Sequence, residues 1–233
     1  MGSPFKYFNS SPEVIRLAVM LYVRYPLSLR NVEDLLAECG IEICHETVRL
    51  WWNRFGPLFA AGIRKRRLQL RQGCSEWRWH LDEVFVKING QTHYLWRAVD
   101  HEGEVLDAMA AKRRDRRAAL QFLKKLMKRY GRPRAVVTDR CPSYGAALRE
   151  IGNARRHVCT GRRSNNRAEN SHQPFRRRER AMSRFRKMGT LQKFAAVHGS
   201  IHNHFNQERH LSSRRTYKIN RAAALAEWQS LLA

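Results

Sequence analysis

Three acidic residues in this sequence stand where their carboxylates could do chemistry: Asp82, Asp139 and Glu169. Asp82 lies in the apolar run WRWHLDEVFVKI, Asp139 ends the apolar run RAVVTD, and Glu169 opens the basic segment RAENSHQPFRRRER. From residue 118 onward there are 26 Lys and Arg but only six acids, and two of those six are Asp139 and Glu169. Carboxylates at strand ends, surrounded by positive charge, predict a site that holds metal ions against a phosphate backbone.

The total charge indicates the partner. The 233 residues carry a net charge of +25, with a sequence pI near 11.0. A surplus of this size is typical of proteins that bind a polyanion, and nucleic acid is the expected one, since neutralising phosphates and releasing counterions supply affinity. A hydrophobic content of 43% is ordinary for a globular protein and excludes wholesale disorder.

Cysteine usage and hydropathy indicate the compartment. The five cysteines form no CxxC pair and are odd in number, which argues against a disulfide framework and favours a reducing environment. No apolar run reaches transmembrane length, and the N-terminus lacks the pattern of a signal peptide. We therefore expect a cytoplasmic protein that does not associate with a membrane.

The charge is distributed unevenly, and the change predicts a domain boundary. Residues 1–60 carry six basic and six acidic residues, so the whole surplus lies in residues 61–233. We expect an N-terminal domain over 1–60, a basic linker over 61–74, a larger domain over 75–210 and a basic, helical tail over 211–233.

Three short helices are predicted in the N-terminal domain. Ser11 and Pro12 form a helix start, with Ser as the cap and Pro at the first position. A second helix covers about 28–39 and ends at Gly40, and a third covers about 45–55. Short helices joined by a tight turn resemble a helix-turn-helix, whose last helix enters a DNA groove. A small bundle that only mediates dimerisation is the alternative.

The exposed side of the third predicted helix carries side chains that suit DNA. Arg and Asn can bind base edges, and Thr can bind a phosphate. The candidates are Thr47, Arg49, Asn53 and Arg54.

From residue 77 the hydrophobic period changes from helix to strand. Two alternating runs flank the hairpin turn Asn89-Gly90, and a third strand follows. A helix is expected over 116–130, then a buried strand AVVTD parallel to the first, a helix, a short strand and a basic helical region over about 170–206. This order is that of the ribonuclease H-like fold: an α/β core with a mixed five-stranded sheet and flanking helices, here preceded by a small all-α helix-turn-helix domain.

In this order the first strand, the end of the fourth strand and the start of the late helix converge. Asp82, Asp139 and Glu169 occupy those three places, where two Mg²⁺ ions roughly 3.5–4 Å apart could act in phosphoryl transfer. Strand alternation sends Glu83 to the opposite face from Asp82. Asp100 also ends a strand and is the reserve candidate.

Three segments carry a family resemblance. WHLDEVFVKINGQTHYLWRAVD, VVTDRCPSYGAAL and NNRAEN, followed by a basic helix, resemble the DDE transposases of insertion-sequence family six. The similarity spans close to the full length, and the pattern WHxDExxVKxxGxxxYLxRAVD is specific. The resemblance implies an enzyme that binds the terminal inverted repeats of an insertion element, cleaves to expose 3′-OH ends and joins them to target DNA.

The resemblance also implies roles for residues. The acids Asp82, Asp139 and Glu169 would be catalytic and would bind two Mg²⁺ ions, for which Mn²⁺ can substitute. Arg176, seven residues after Glu169, would contact a DNA phosphate. The gap between Asp139 and Glu169 is 30 positions, shorter than the usual family spacing, which shortens the segment near 153–161.

The density of positive charge after Glu169 predicts a further DNA-tracking surface. Its members, besides Arg176, are Arg177, Arg178 and Arg180. Bringing two DNA ends together implies at least a homodimer. Two alternatives stay open: a DNA-binding regulator whose ribonuclease H-like domain is not catalytic, and a nuclease without strand transfer.

Overall fold

The computed structural model describes residues 3–70, 77–159, 165–182, 185–206 and 212–232. The chain divides into two compact units. The first consists of Met1–Leu70, Arg180–Ser183 and Ser200–Ala233, and the second of Arg71–Glu179 and Arg184–Gly199. In the described parts of the chain, no helix combines the length and the apolar character needed to cross a membrane.

The first unit begins with three helices: α1 (Pro12–Arg24), α2 (Leu29–Glu38) and α3 (His45–Leu70). The predicted start of α1 is confirmed, since the Ser11 hydroxyl accepts a hydrogen bond from the backbone N–H of Val14 at 3.3 Å. Ser28 caps α2 in a capping box with Asn31. These caps bind backbone N–H groups that the first turn of a helix leaves without partners.

Helix α3 is longer than its sequence pattern predicted. The prediction ended it near Phe55, and residues 61–70 were assigned to a linker, but the helix continues through Pro57 to Leu70. The reason is packing, because Phe55, Phe59 and Ile63 recur at helical spacing and are all buried. Burial of this apolar stripe outweighs the helix-breaking tendency of the proline.

The C-terminal segment also packs into the first unit. Its helix α8 (Arg214–Gln229) places the Trp228 ring 4.8 Å from that of Phe59. Buried Arg16 of α1 donates from Nε to the carbonyl of Leu231 at 2.9 Å. Residues of the predicted tail therefore contribute to the core of this unit.

The second unit is built on a five-stranded sheet. Its strands lie in the order β3-β2-β1-β4-β5. They are β1 (Arg78–Ile88), β2 (Gln91–Val99), β3 (Val105–Ala111), β4 (Ala135–Thr138) and β5 (His157–Cys159). Strands β1 to β3 pair antiparallel, whereas β4 pairs parallel to β1, and β5 parallel to β4. The predicted hairpin, its Asn89-Gly90 turn and the parallel fourth strand are confirmed.

Four helices flank the sheet: α4 (Arg116–Tyr130), α5 (Pro142–Glu150), α6 (Asn166–Ala181) and α7 (Met188–Phe205). The single basic helical region predicted over 170–206 is two helices, and the first begins before Glu169.

Trp79 and Leu81 of β1 share a buried cluster with α4 and α5. The intervening even-numbered residues of β1 must face the other side, where α6 lies. The α/β, ribonuclease H-like prediction is confirmed.

Candidate active site

Asp82 lies in the central strand on the α6 side of the sheet, directly opposite Arg97 of β2. Its side chain is 16% exposed, and its Oδ1 accepts a hydrogen bond from the backbone N–H of Glu83 at 2.8 Å. The pKa of Asp82 is raised to about 7. Burial is the largest cause; the Glu83 N–H bond opposes it, and the charges of Glu83, Asp139 and Glu169 add to it.

Asp139 follows β4 directly. Leu81 pairs with Thr138 in the parallel β1–β4 ladder, so the next residue of each strand, Asp82 and Asp139, comes to the same end of that ladder. Asp139 is partly exposed; its Oδ1 accepts from the backbone N–H of Cys141 at 3.0 Å, and its Oδ2 accepts from Arg114 at 3.3 Å. The second predicted acid therefore lies beside the first.

Glu169 is exposed in the first turn of α6. Like Asp139, it lies close enough to Asp82 for its charge to raise the pKa of that carboxyl group. The three predicted acids therefore come from β1, the end of β4 and the start of α6, and the charges of Asp139 and Glu169 both act on Asp82.

The raised pKa of Asp82 predicts a stability penalty in the metal-free protein. Between its ordinary value of 3.8 and about 7, the folded state holds a proton that the unfolded chain releases, so stability falls as pH rises through that window. Asp82→Asn removes this titration. Its thermal midpoint, measured by circular dichroism in EDTA, should exceed that of the wild type at about pH 8, and the difference should shrink toward about pH 4. A difference that grew toward acid would contradict the assigned shift.

A buried network braces Asp139 from the other face of the sheet. Glu83, with its side chain 1% exposed, accepts from Arg114 through Oε1 and from the Tyr144 hydroxyl through Oε2 at 3.0 Å. Arg114 also reaches Asp139, so it links the two carboxylates. Burial raises the pKa of Glu83, and the Arg114 charge opposes that rise. Strand alternation predicted the face of Glu83 but not this bracing role.

Glu83, Asp139 and Cys141 also form a group whose possible ligand atoms lie within 4.8 Å of one another. Both oxygens of Glu83 are already bonded to Arg114 and Tyr144, however. We therefore interpret this group as a structural support of Asp139 and not as a separate metal site.

His172 is a site residue that the sequence analysis missed. Its Nδ1 lies 3.8 Å from Oδ2 of Asp82, and its Nε2 is buried without a hydrogen-bond partner among the described residues. Burial, followed by the charges of Arg97 and Arg176, lowers the pKa of His172 to about 3, so the ring is neutral at pH 7. Its position three residues after Glu169 places it on the same side of α6, and that spacing is the signal that could have identified it.

The reserve acid Asp100 has a local structural role. It is buried, and its Oδ1 accepts from the backbone N–H groups of Glu102 and Glu104, both at 2.9 Å, in the turn between β2 and β3. Ligand atoms of these three acids lie within 4.8 Å of one another, and the turn accounts for their proximity.

The DNA-binding candidates of α3 lie on its exposed side, opposite buried Trp51 and Trp52. Arg49 pairs with Glu46 at 2.8 Å, and Arg54 lies 5.5 Å from the Phe8 ring centre. The other two candidates are partly exposed Thr47, which contacts Cys44 at 3.2 Å, and exposed Asn53.

The four arginines of α6 have different environments. Arg177 and Arg180 are exposed. Arg176 is partly exposed and donates to the carbonyl of Phe85 at 2.6 Å. Arg178 is only 1% exposed and packs over the Phe194 ring, so it does not share the surface predicted for it. The prediction placed every arginine of the run at the surface, whereas the amphipathic helix turns this position inward.

Known proteins resemble this chain in sequence. The DDE domain family of the IS240 type matches residues 76–208. The transposase of the insertion sequence-like element IS431mec from Staphylococcus aureus is 34% identical over 179 residues, which cover 75% of this chain and 78% of that protein. The transposase of element IS257 in transposon Tn4003, also from Staphylococcus aureus, is 33% identical over the same shares.

Among solved structures, the catalytic domain of Mos1 mariner transposase aligns with a TM-score of 0.37 and 14% identity, over 76% of this chain and 92% of that one. The family match covers more than half of the chain. The IS431mec transposase is 34% identical over an alignment that covers 75% of the chain. The chain belongs to the DDE transposases, and within them to insertion-sequence family six.

Proposed function

We propose that this transposase binds the terminal inverted repeats of an insertion element, cleaves there to expose 3′-OH ends, and joins those ends to target DNA at the site formed by Asp82, Asp139 and Glu169. The observation that carries the proposal is their arrangement: the β1–β4 ladder brings Asp82 and Asp139 to one end, and His172, one helical turn after Glu169, lies 3.8 Å from Asp82. Clustered carboxylates that repel one another are typical of sites that bind cations.

The donor set fits two Mg²⁺ ions, with Mn²⁺ as a substitute. All three residues offer carboxylate oxygens, the ligand type that these hard cations prefer. When bound, such ions would supply Lewis-acid stabilisation of the attacking and leaving oxygens of an in-line displacement. Binding would also relieve the repulsion that raises the pKa of Asp82.

The protein's own groups would orient the reactants. Arg114 holds one oxygen of Asp139 while buried Glu83 holds Arg114, so the Asp139 carboxylate has a defined direction. His172 is neutral at pH 7, so its ring adds no positive charge beside Asp82. Buried Cys141 is poorly placed to act as a nucleophile.

The chemistry would need no covalent protein intermediate. In the first step a water oxygen attacks a phosphorus atom at the element end, and the P–O3′ bond breaks to leave a 3′-OH. In the second step that 3′ oxygen attacks a target phosphorus and displaces a target O3′. One site can serve both steps because each is a displacement at a phosphodiester.

Two surfaces would bind DNA. The exposed side of α3, with Thr47, Arg49, Asn53 and Arg54, is the candidate for binding the element ends. Along α6, Arg176, Arg177 and Arg180 would contact backbone phosphate near the cut. We propose that the protein joins two ends as at least a homodimer on DNA, and that it acts in the cytoplasm at the nucleoid.

The direct test incubates the purified chain with labelled duplexes that carry the inverted repeats flanking its gene, together with a supercoiled plasmid. We expect joined products in Mg²⁺ or Mn²⁺ and none in EDTA, because cations bound by the three carboxylates would supply the Lewis-acid stabilisation that both displacements need. Cleaved ends without joined products would indicate a nuclease instead. Specific binding of the repeats without either product would indicate the regulator.

A further inference from the structure

Helix α6 carries Glu169 but is joined to β5 by a segment that lies outside the described residues. What fixes Glu169 opposite Asp82 must therefore be sought in contacts between α6 itself and the sheet.

The first such contact comes just before α6. Asn165 is 1% exposed, and its Nδ2 donates to the carbonyl of Leu81 at 2.9 Å. Leu81 immediately precedes Asp82 and forms the last pair of the β1–β4 ladder. This bond therefore joins the start of α6 to β1 at the residue before Asp82.

The second contact comes from the centre of the sheet. Arg97 lies opposite Asp82 on β2, is 1% exposed, and donates from Nη2 to the carbonyl of Ser171 at 3.1 Å. Its guanidinium lies 5.7 Å from the ring centre of Phe175. Its Nε and Nη1 have no hydrogen-bond partner within the described part of the chain. A buried guanidinium with so few partners costs folding free energy, so stability alone does not explain it.

The two contacts bracket Glu169. Asn165 and Ser171 are six residues apart, about 9 Å along a helix, and Glu169 lies between them. A third bond, from Arg176 to the carbonyl of Phe85, follows farther along the same helix. The carbonyls of Leu81 and Phe85, four residues apart on β1, point to the same edge of that strand. Together these bonds hold α6 alongside β1 in one register.

We infer that Asn165 and Arg97 are positioning residues, which set the register of α6 on the sheet so that Glu169 faces Asp82 whatever the length of the preceding segment. The inference rests on the proposed function, in which Glu169 shares cations with Asp82 and Asp139. Loss of either anchor should let the first turns of α6 shift, which weakens cation binding while the hydrophobic core stays folded.

The experiment compares Asn165→Leu and Arg97→Met with Arg178→Met. Arg178 of α6 is the matched control for Arg97. Both arginines are 1% exposed, and both lie 5.7 Å from the centre of a phenylalanine ring. The ring beside Arg178 is Phe194 of α7, however, so this contact does not join α6 to the sheet. Amide hydrogen exchange over residues 166–172 reports the anchoring. Electron paramagnetic resonance of free Mn²⁺ without DNA reports the half-saturation concentration of the metal site, and strand transfer is measured in parallel.

We expect both anchor variants to exchange faster at residues 166–172 and to need at least about tenfold more Mn²⁺, while Arg178→Met changes the Mn²⁺ requirement no more than about twofold. The inference would be overturned if both anchor variants showed the same half-saturating Mn²⁺ concentration as the wild type and the same rate of amide hydrogen exchange at residues 166–172. If either substitution prevents folding, Asn165→Ala and Arg97→Lys replace it under the same criteria.

Failure of the proposed function gives a different pattern. Wild-type protein that joins no DNA in any divalent cation would refute strand transfer, whereas the exchange measurement would still decide whether Asn165 and Arg97 anchor α6.

Discussion

Asp82→Asn and Asp139→Asn proteins are expected to bind element ends like the wild type and to lose strand transfer by at least about 1000-fold. Each substitution would remove one anionic oxygen from the proposed cation site, and Lewis-acid stabilisation of several kcal/mol corresponds to that loss of rate. Folding should survive, because the pKa of Asp82 is raised by burial and repulsion, which makes its charge a cost to the fold. The measurements are gel-shift binding and product formation in Mg²⁺.

A matched control for this prediction is Asp107 of β3. Its carboxylate is also mostly buried in the sheet, but it pairs with Lys125 at 2.9 Å and Arg129 at 3.0 Å, away from the three acids. Asp107→Asn should lower stability and leave joining within about threefold of wild type. Wild-type joining by either Asp82→Asn or Asp139→Asn would refute the role assigned to that acid.

The second large effect is expected at Glu169. Glu169→Gln should lose joining to the same extent as the aspartate variants, although the gap from Asp139 is short. Glu179 provides the control on the same helix, because it pairs with Arg176 two turns beyond the site. Glu179→Gln should retain joining within about threefold.

Product formation and Mn²⁺ half-saturation, measured for both variants, decide the assignment. Full activity of Glu169→Gln with a defect in Glu179→Gln would move the third acid to the later position of α6. Loss in both would indicate that the ion pair of Glu179 with Arg176 also supports the site.

The sequence pattern predicted the framework of this site well. Alternating hydrophobicity with the Asn89-Gly90 turn predicted the β1–β2 hairpin, and the short apolar run before Asp139 predicted a parallel β4. These features are local, and pairing two strands brings their ends together without further information. The meeting of Asp82 and Asp139 followed from them.

Where the structure differs from the sequence prediction, the physical cause is packing between residues that are far apart in the chain. Helix α3 continues past Pro57 because Phe59 packs against Trp228, some 170 positions later in the chain. Arg178 is buried because α6 directs it onto Phe194. The contacts of Glu83 with Arg114 and of His172 with Asp82 join segments that are far apart in the sequence, so the sequence pattern did not predict them.

Metal rescue of cysteine variants tests whether Asp82 and Asp139 bind divalent cations during strand transfer. Asp82→Cys and Asp139→Cys place a thiolate, which suits Mn²⁺ better than Mg²⁺, where the carboxylate stood. We predict that both variants are inactive in Mg²⁺ and regain joining in Mn²⁺, while Asp107→Cys is active in both. Two results would contradict cation binding by these aspartates. In the first, the cysteine variants join DNA in Mg²⁺ as well as the wild type does. In the second, both variants fold and bind DNA, but Mn²⁺ restores joining to neither of them.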